Sequence, residues 1–217
     1  MVNTKLIDHT LLKPYATRED ILKLCNEAYT YNFKSVCVNP SRVSLCKELL
    51  HGTDILICTV IGFPLGATPK DVKAYETTRA IADGADEVDI VINIGLAKEH
   101  NYDEVYQDIL AVVDAAGGVC VKVILETCYL TNEEIVECSK IALKAGADFV
   151  KTSTGFGSSG ATIEAVKLMS ETVGSEMGVK ASGGIHNLSD YKKMTEAGAT
   201  RIGTSSAIKI LEEDNNE

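Results

Sequence analysis

The stretch KAGADFVKTSTGFG, residues 144–157, leads from the end of a helical pattern through a glycine turn into a short apolar strand. Variants of its first five residues recur as ADGAD at 82–86 and as EAGAT at 196–200. Glycine at this position supplies a left-handed helix C-cap before the next strand. The repeated helix-to-strand turn therefore predicts a chain built from successive β/α units.

Short apolar, β-branched runs alternate with helical patterns along the whole chain. The predicted strands are 6–10, 35–39, 55–61, 87–93, 119–126, 149–154, 178–184 and 201–204. The predicted helices are 18–31, 42–50, 69–83, 102–115, 132–145, 162–172, 188–196 and 206–212. This alternation favours an α/β fold, a single-domain (β/α)8 TIM barrel with a closed parallel sheet. We expect residues 1–217 to form that one domain.

Composition excludes several classes of protein. The 217 residues carry a net charge of −10, which argues against broad binding to nucleic acid. No apolar run approaches the ~20 residues that span a bilayer, and the first residues lack the apolar core of a signal peptide. We therefore expect a cytoplasmic protein that does not associate with membranes.

The cysteines and histidines predict neither disulfides nor a metal centre. The seven cysteines are odd in number and show no C-x-x-C spacing, which is typical of free thiols in a reducing compartment. The four histidines are dispersed, without H-x-H or H-E-x-x-H spacing. We expect no metal and no cofactor.

Three lysines interrupt strands that otherwise read as buried. Lys122, Lys151 and Lys180 are separated by 29 residues each, one on each of three successive strands. Strands lie about 4.8 Å apart, so such amines approach one another, and mutual repulsion lowers a lysine pKa. A neutral lysine amine attacks an aldehyde or ketone to form an imine. The alternative is a strand-end lysine that reaches solvent or pairs with a carboxylate.

An inward carboxylate accompanies these lysines. Alternation places Glu87, Asp89 and Val91 on one face of their strand. Asp89 therefore either pairs with Lys122 or moves protons during imine chemistry, and both roles are compatible. Counting five residues from each turn predicts that Cys37, Asp89, Lys122 and Lys151 share one layer of the barrel, while the layer of Lys180 stays open. Cys37 either lines the pocket or only packs in it.

Glycine-rich segments follow three of the predicted strands. Backbone N–H groups and hydroxyls at the ends of strands 7 and 8 form the habitual phosphate site of this barrel. Each motif alone is also typical of a simple tight turn. The candidate phosphate-binding and substrate-binding residues are Thr154, Gly155, Ser182, Gly183, Gly184, Gly203, Thr204 and Ser205.

At this point the chain resembles a known family, the deoxyribose-phosphate aldolases. The similar segments are VKTSTGF at 150–156, VKASGGI at 179–185, ADEVD at 85–89, IDHTLLKP at 7–14, VCVNP at 36–40, TVIGFPLG at 59–66 and VKVILET at 121–127. The resemblance runs from about residue 5 to residue 207.

The resemblance implies a class I aldolase that cleaves 2-deoxy-D-ribose 5-phosphate into D-glyceraldehyde 3-phosphate and acetaldehyde, and that runs the reverse condensation. It implies that Lys151 forms the Schiff base, that Lys180 tunes it, and that Asp89 with Lys122 handles protons. Some members of the family close the site with a tyrosine near the C-terminus, whereas the last tyrosine here is Tyr191. Family members are often dimers or tetramers, so we expect a homo-oligomer.

Two other interpretations remain open. A phosphosugar-binding barrel without catalysis would keep the glycine loops but would not need interior amines or Asp89. Another Schiff-base aldolase or a transaldolase would keep the lysines but act on a different donor, because transaldolase needs a ketose.

Overall fold

A computed structural model describes residues 1–216. Its eight strands form a closed parallel barrel in chain order, with β8 beside β1. The strands are β1 (Ile7–Leu11), β2 (Ser35–Val38), β3 (Leu56–Ile61), β4 (Glu87–Val91), β5 (Cys120–Ile124), β6 (Phe149–Lys151), β7 (Gly178–Ser182) and β8 (Arg201–Thr204). The predicted TIM barrel is confirmed.

Helices alternate with the strands and surround the barrel. They are α1 (Arg18–Thr30), α2 (Val43–Leu49), α3 (Lys70–Ala82), α4 (Ile94–Lys98), α5 (Tyr102–Ala116), α6 (Asn132–Lys144), α7 (Ile163–Val173), α8 (Leu188–Glu196) and α9 (Ala207–Asp214). Short 3-10 turns cover Thr4–Leu6, Pro40–Arg42 and Thr127–Tyr129. The sequence missed α4, because its five residues are too few for a periodic apolar pattern. None of the helices in residues 1–216 has the length and apolar character needed to cross a bilayer.

The repeated helix-to-strand turn has the expected conformation. Gly84, Gly146 and Gly198 have φ values of 110°, 83° and 110°, and Asn32 has φ 54°. These positive φ values end each helix and direct the chain into the next strand. Five strands, β2, β4, β5, β6 and β7, are shorter than predicted at their carboxyl ends, where buried residues such as Ser153 and Thr154 leave the sheet for loops.

The main apolar core lies between the barrel and its helices. The outward strand residues Val36, Val88 and Ile90 are fully buried there, with the helix residues Ile21 and Ile109 among the side chains packed around the sheet. A small separate apolar group, Leu12, Cys37, Cys58 and Val60, lies in the barrel interior beside Phe63. Buried charged side chains occupy other inward positions of the strands.

Strand register sorts the inward side chains into layers. Cys37 pairs with Cys58, and Cys58 with Glu87. The strands tilt relative to the barrel axis, so residues at the same height shift by about one position along the chain from each strand to the next. Two strands on from Cys37 the shift is two residues, from Glu87 to Asp89, and Cys37 and Asp89 therefore lie at the same height. The same step reaches Lys151 on β6 and Gly203 on β8. These four residues form the upper layer.

The lower layer comes from the odd strands and contains Asp8, Cys58, Lys122 and Lys180. The predicted single layer was therefore right for Cys37, Asp89 and Lys151 and wrong for Lys122. Counting residues from a turn gives the same height only on alternate strands, because inward positions on neighbouring strands are staggered.

Candidate active site

The three predicted lysines converge on one carboxylate. Asp89 is fully buried, and its Oδ1 accepts a hydrogen bond of 2.9 Å from the Nζ of Lys122. Its Oδ2 accepts from Lys151 at 2.8 Å and from Lys180 at 2.7 Å. The interior ion pair that the sequence suggested between Asp89 and Lys122 is therefore present, and Lys151 and Lys180 join it.

Three further charged residues complete this cluster, and the sequence analysis did not assign them to it. The Nζ of Lys180 lies 2.5 Å from Asp8, and that of Lys122 lies 2.7 Å from Glu87. Arg201 contacts Asp8 at 2.8 Å and Glu87 at 3.1 Å. The alternation of β4 had placed Glu87 on the inward face, which was the available signal. The contact between Arg201 and Asp8 depends on the closure of β8 against β1, which joins residues far apart in the chain.

The carboxylates outweigh the repulsion among the amines. Burial raises the pKa of Asp89, but Lys122, Lys151 and Lys180 together hold that pKa well below its usual value. Burial lowers the pKa of Lys180, but Asp8 and Asp89 raise it above the ordinary value. Burial likewise lowers the pKa of Lys122, and Asp89 with its other anionic neighbours raises it well above normal. The expectation that crowding would lower a lysine pKa was therefore wrong for Lys122 and Lys180.

The cluster has one cation more than it has carboxylates. Lys122, Lys151, Lys180 and Arg201 face Asp8, Glu87 and Asp89, so the formal charge is +1 when all are ionised. Within residues 1–216, Lys122 and Lys180 contact two carboxylates each, whereas Lys151 contacts Asp89 alone. Lys151 therefore has fewer carboxylate contacts than the two other lysines.

Two thiols lie beside Asp89. The Cys58 Sγ donates to Asp89 Oδ1 at 3.1 Å and lies 3.4 Å from the Nζ of Lys122. Burial and the neighbouring Cys37 thiol raise the pKa of Cys58 well above its ordinary value. Cys37 is fully buried, which supports packing over pocket lining. Both thiols and Asp89 have ligand atoms within 4.8 Å of one another, but the lysines already occupy the carboxylate, so the group is poorly suited to a cation.

A cavity of about 250 Å³ opens above this cluster at the carboxyl ends of the strands. Of the four predicted catalytic residues only Lys151 lines it, whereas Asp89, Lys122 and Lys180 are fully buried beneath it. All the predicted phosphate-binding residues line it, namely Thr154, Gly155, Ser182, Gly183, Gly184, Gly203, Thr204 and Ser205. The lining also includes Lys13 and His186, basic residues that the sequence analysis did not assign to the site.

The cavity wall needs close contact between two loops. A Cβ on Gly160 would lie 2.1 Å from the carbonyl oxygen of Gly183, so only glycine lets these backbones meet. Gly183 and Gly184 have φ values of 79° and 75°. Glycine accepts these positive φ values and presents no side chain, so an anion can approach the backbone N–H groups of this segment closely. Tyr191 is not part of the wall, since its hydroxyl lies 3.2 Å from the backbone N of Asn3.

Comparison with known proteins agrees with this geometry. The DeoC/LacD family of aldolases matches residues 3–212. This chain belongs to that family. The deoxyribose-phosphate aldolase of Macrococcus caseolyticus is 61% identical to this aldolase over 207 residues, covering 95% of this chain and 94% of that protein. The corresponding protein of Staphylococcus epidermidis is 58% identical over 212 residues, covering 98% and 96%.

Solved structures give the same assignment. The tetrameric deoxyribose phosphate aldolase of Aeropyrum pernix superimposes on this aldolase with a TM-score of 0.92 at 37% identity, covering 98% of this chain and 90% of that one. An aldolase named QR15 superimposes with a TM-score of 0.94 at 40% identity, covering 100% and 97%.

Proposed function

We propose that this aldolase cleaves 2-deoxy-D-ribose 5-phosphate to D-glyceraldehyde 3-phosphate and acetaldehyde, and catalyses the reverse condensation, through an imine on Lys151. The observation that carries the proposal is the position of Lys151. Its amine is held 2.8 Å from a buried carboxylate and lines a cavity whose other side is a glycine and serine cradle. A barrel that only binds a phosphosugar, without catalysis, would not need an amine at this position.

The reaction begins with the neutral amine of Lys151. The neutral Lys151 amine attacks C1 of the open-chain sugar, and loss of water leaves a protonated imine. The C2–C3 bond then breaks as the C3 hydroxyl loses its proton, and the bonding electrons move toward the imine nitrogen. D-glyceraldehyde 3-phosphate departs and leaves an enamine. Protonation of the enamine carbon and hydrolysis release acetaldehyde and restore Lys151.

Proton transfer involves Asp89 after the cluster has changed charge. The pKa of Asp89 is far too low for a base while three ammonium groups surround it. As the C2–C3 bond breaks, the cationic imine on Lys151 becomes a neutral enamine, so Asp89 becomes a better acceptor for the proton that leaves the C3 hydroxyl. Lys180, which shares Oδ2 of Asp89 with Lys151, is the nearest protonated group for returning a proton.

The phosphate fits the opposite wall. Left-handed Gly183 and Gly184 provide N–H donors, and Ser205, which precedes α9, lines the same cavity. Lys13 supplies a positive side chain at the same cavity. These groups support recognition of one phosphate in a protein whose net charge is −10.

Borohydride trapping tests the proposal. The protein is mixed with 2-deoxyribose 5-phosphate or with acetaldehyde, reduced with sodium borohydride, and mapped by peptide mass spectrometry. A reduced adduct on Lys151 supports the imine. Binding of the phosphosugar without an adduct would favour a binding barrel, and activity only with a ketose donor would favour a transaldolase.

Gly203 provides a further test, because it is the upper-layer position without a side chain. A Cβ there would lie 3.1 Å from both the Cε of Lys180 and the Cβ of Ser182. We expect Gly203→Ala to displace Lys180 from Asp89 and to lower kcat/KM for the sugar phosphate by about tenfold or more. Steady-state cleavage assays measure this, with thermal unfolding to confirm folding. Unchanged kinetics would show that the empty position is not needed.

We also propose that the enzyme is a cytoplasmic homo-oligomer. The seven cysteines are free thiols, which suits a reducing compartment. The tetrameric relative from Aeropyrum pernix supports self-association. Light scattering coupled to size-exclusion chromatography gives the mass directly.

A further inference from the structure

Glu126 is a buried carboxylate that the reaction scheme does not use. It follows the end of β5, and only 1% of its surface is exposed. No lysine, arginine or histidine within residues 1–216 forms an ion pair with it. A carboxylate buried without a cation is costly, so its neutral partners have to supply the stabilisation.

The backbone and hydroxyl groups that donate to this carboxylate belong to the loop that carries one wall of the cavity. The backbone N of Thr154 donates to both carboxylate oxygens of Glu126 at 3.3 Å, and its hydroxyl donates to Oε2. The same hydroxyl oxygen accepts a hydrogen bond of 3.0 Å from the backbone N of Phe156. Thr154, Gly155 and Phe156 all line the cavity. Glu126 therefore anchors the segment that leads away from Lys151.

The backbone of Glu126 is strained in a way that serves these contacts. Its φ of 55° and ψ of 63° are left-handed, a conformation that a residue with a Cβ rarely adopts. Strain of this kind persists where the surroundings hold it and is concentrated at functional sites. Asn32 and His100 also have positive φ, but both side chains are exposed, in contrast to Glu126.

The loop also packs on Glu126. A Cβ at Gly157 would lie 2.8 Å from the Sγ of Cys128 and 3.2 Å from the carboxyl carbon of Glu126. The rings of Phe156 and Phe63 meet edge to face with centroids 5.4 Å apart, which joins the loops after β6 and β3 beside the cavity. A shift of Thr154 would consequently move the wall at several points.

We propose that Glu126 is a positioning residue that holds the loop 152–160 in the conformation that receives the phosphate of the substrate. The proposal rests on the proposed function, because it assumes that this loop contacts the phosphosugar. Glu126 touches no reacting atom, so its effect should be on substrate binding and not on imine formation.

The test compares Glu126→Gly with Glu126→Gln. Glycine accepts the left-handed backbone and removes the carboxylate, whereas glutamine keeps the length of the side chain and one acceptor oxygen. For Glu126→Gly we expect the KM for 2-deoxyribose 5-phosphate to rise by about 10–100-fold, since a loop displaced by about 1 Å costs that much. The expected change in kcat/KM for unphosphorylated 2-deoxyribose is less than about threefold, and Glu126→Gln should recover part of the loss.

Two controls keep the outcomes distinct. Trapping of acetaldehyde on Lys151 should proceed in Glu126→Gly as in the wild type, and calorimetry gives the Kd of the sugar phosphate independently of turnover. Equal losses with both sugars, or a lower unfolding temperature with an unchanged KM and Kd, would overturn the positioning role. If the wild type binds the sugar phosphate without cleaving it, the reaction proposal fails, and the Kd of the two variants still decides the role of Glu126.

Discussion

Replacing Lys151 by arginine is expected to abolish cleavage of 2-deoxyribose 5-phosphate. We expect kcat/KM to fall by at least about 10⁴-fold, which corresponds to about 5.4 kcal/mol of lost transition-state stabilisation. Arginine keeps the positive charge beside Asp89 but cannot lose a proton near neutral pH, so it forms no imine. The variant thus separates the charge of Lys151 from its nucleophilicity.

Three measurements accompany this variant. Steady-state kinetics give the loss of activity, borohydride trapping should yield no adduct, and thermal unfolding reports whether the barrel is intact. Lys151→Met checks that the effect does not depend on the bulk of arginine. Lys144→Arg makes the same chemical change at an outer position, where Lys144 lies 4.8 Å from the ring centroid of Tyr106, and should keep wild-type activity. Cleavage retained by both Lys151 variants would disprove imine chemistry at this position.

The sequence predicted the fold because its signals are local. Glycine turns, apolar strand patterns and amphipathic helices each depend on a few neighbouring residues, and repetition made the eight-unit barrel the simplest arrangement. The boundaries were less certain where strands end in loops. Residues 152–154 remain buried beyond the end of β6, and burial alone does not distinguish a strand from a buried loop.

Part of the candidate site could also be predicted, because its residues are unusual for buried strands. Lys122, Lys151, Lys180 and Asp89 stood out because charged residues rarely occur in buried strands. Asp8 and Arg201 were missed because their partners lie across the closure of the barrel, which joins residues far apart in the chain. The direction of the pKa shifts of Lys122 and Lys180 depends in part on Asp8. Amines alone would have lowered one another's pKa, whereas Asp8 and Asp89 raise that of Lys180.

The second large effect is expected from Asp89→Asn. An amide cannot balance the charge of three lysines, and Lys151 would lose its sole carboxylate partner, whereas Lys122 keeps Glu87 and Lys180 keeps Asp8. Breaking a buried ion pair by removing one partner costs about 3–5 kcal/mol, so the free energy of unfolding at pH 7 should fall by that amount. Urea unfolding measures this change.

Asp89→Asn should also change the pH dependence of the free energy of unfolding. The pKa of Asp89 in the folded protein is well below the value of about 3.9 for an unfolded chain, so its contribution is complete above that pH. It is lost as the pH falls from about 3.9 toward the folded pKa, because the unfolded state then binds the proton first. The range from about pH 5 to about pH 3 brackets the unfolded-chain pKa of about 3.9. Over this range the free energy of unfolding of the wild type should decline more steeply than that of Asp89→Asn.

Catalysis by Asp89→Asn should fail after the imine has formed. The Lys151 amine remains, so acetaldehyde and borohydride should still label it, but turnover should fall by about 10²–10⁴-fold because the carboxylate that we propose moves protons is gone. Asp108→Asn is the matched control, since it breaks another buried pair, with the Nζ of Lys73 2.7 Å from Asp108 outside the barrel interior. It should lower stability to a similar degree and leave kcat nearly unchanged. If Asp89→Asn instead kept its kcat, proton transfer would have to run through Lys180 and water without this carboxylate, and Asp89 would serve only to neutralise the lysines.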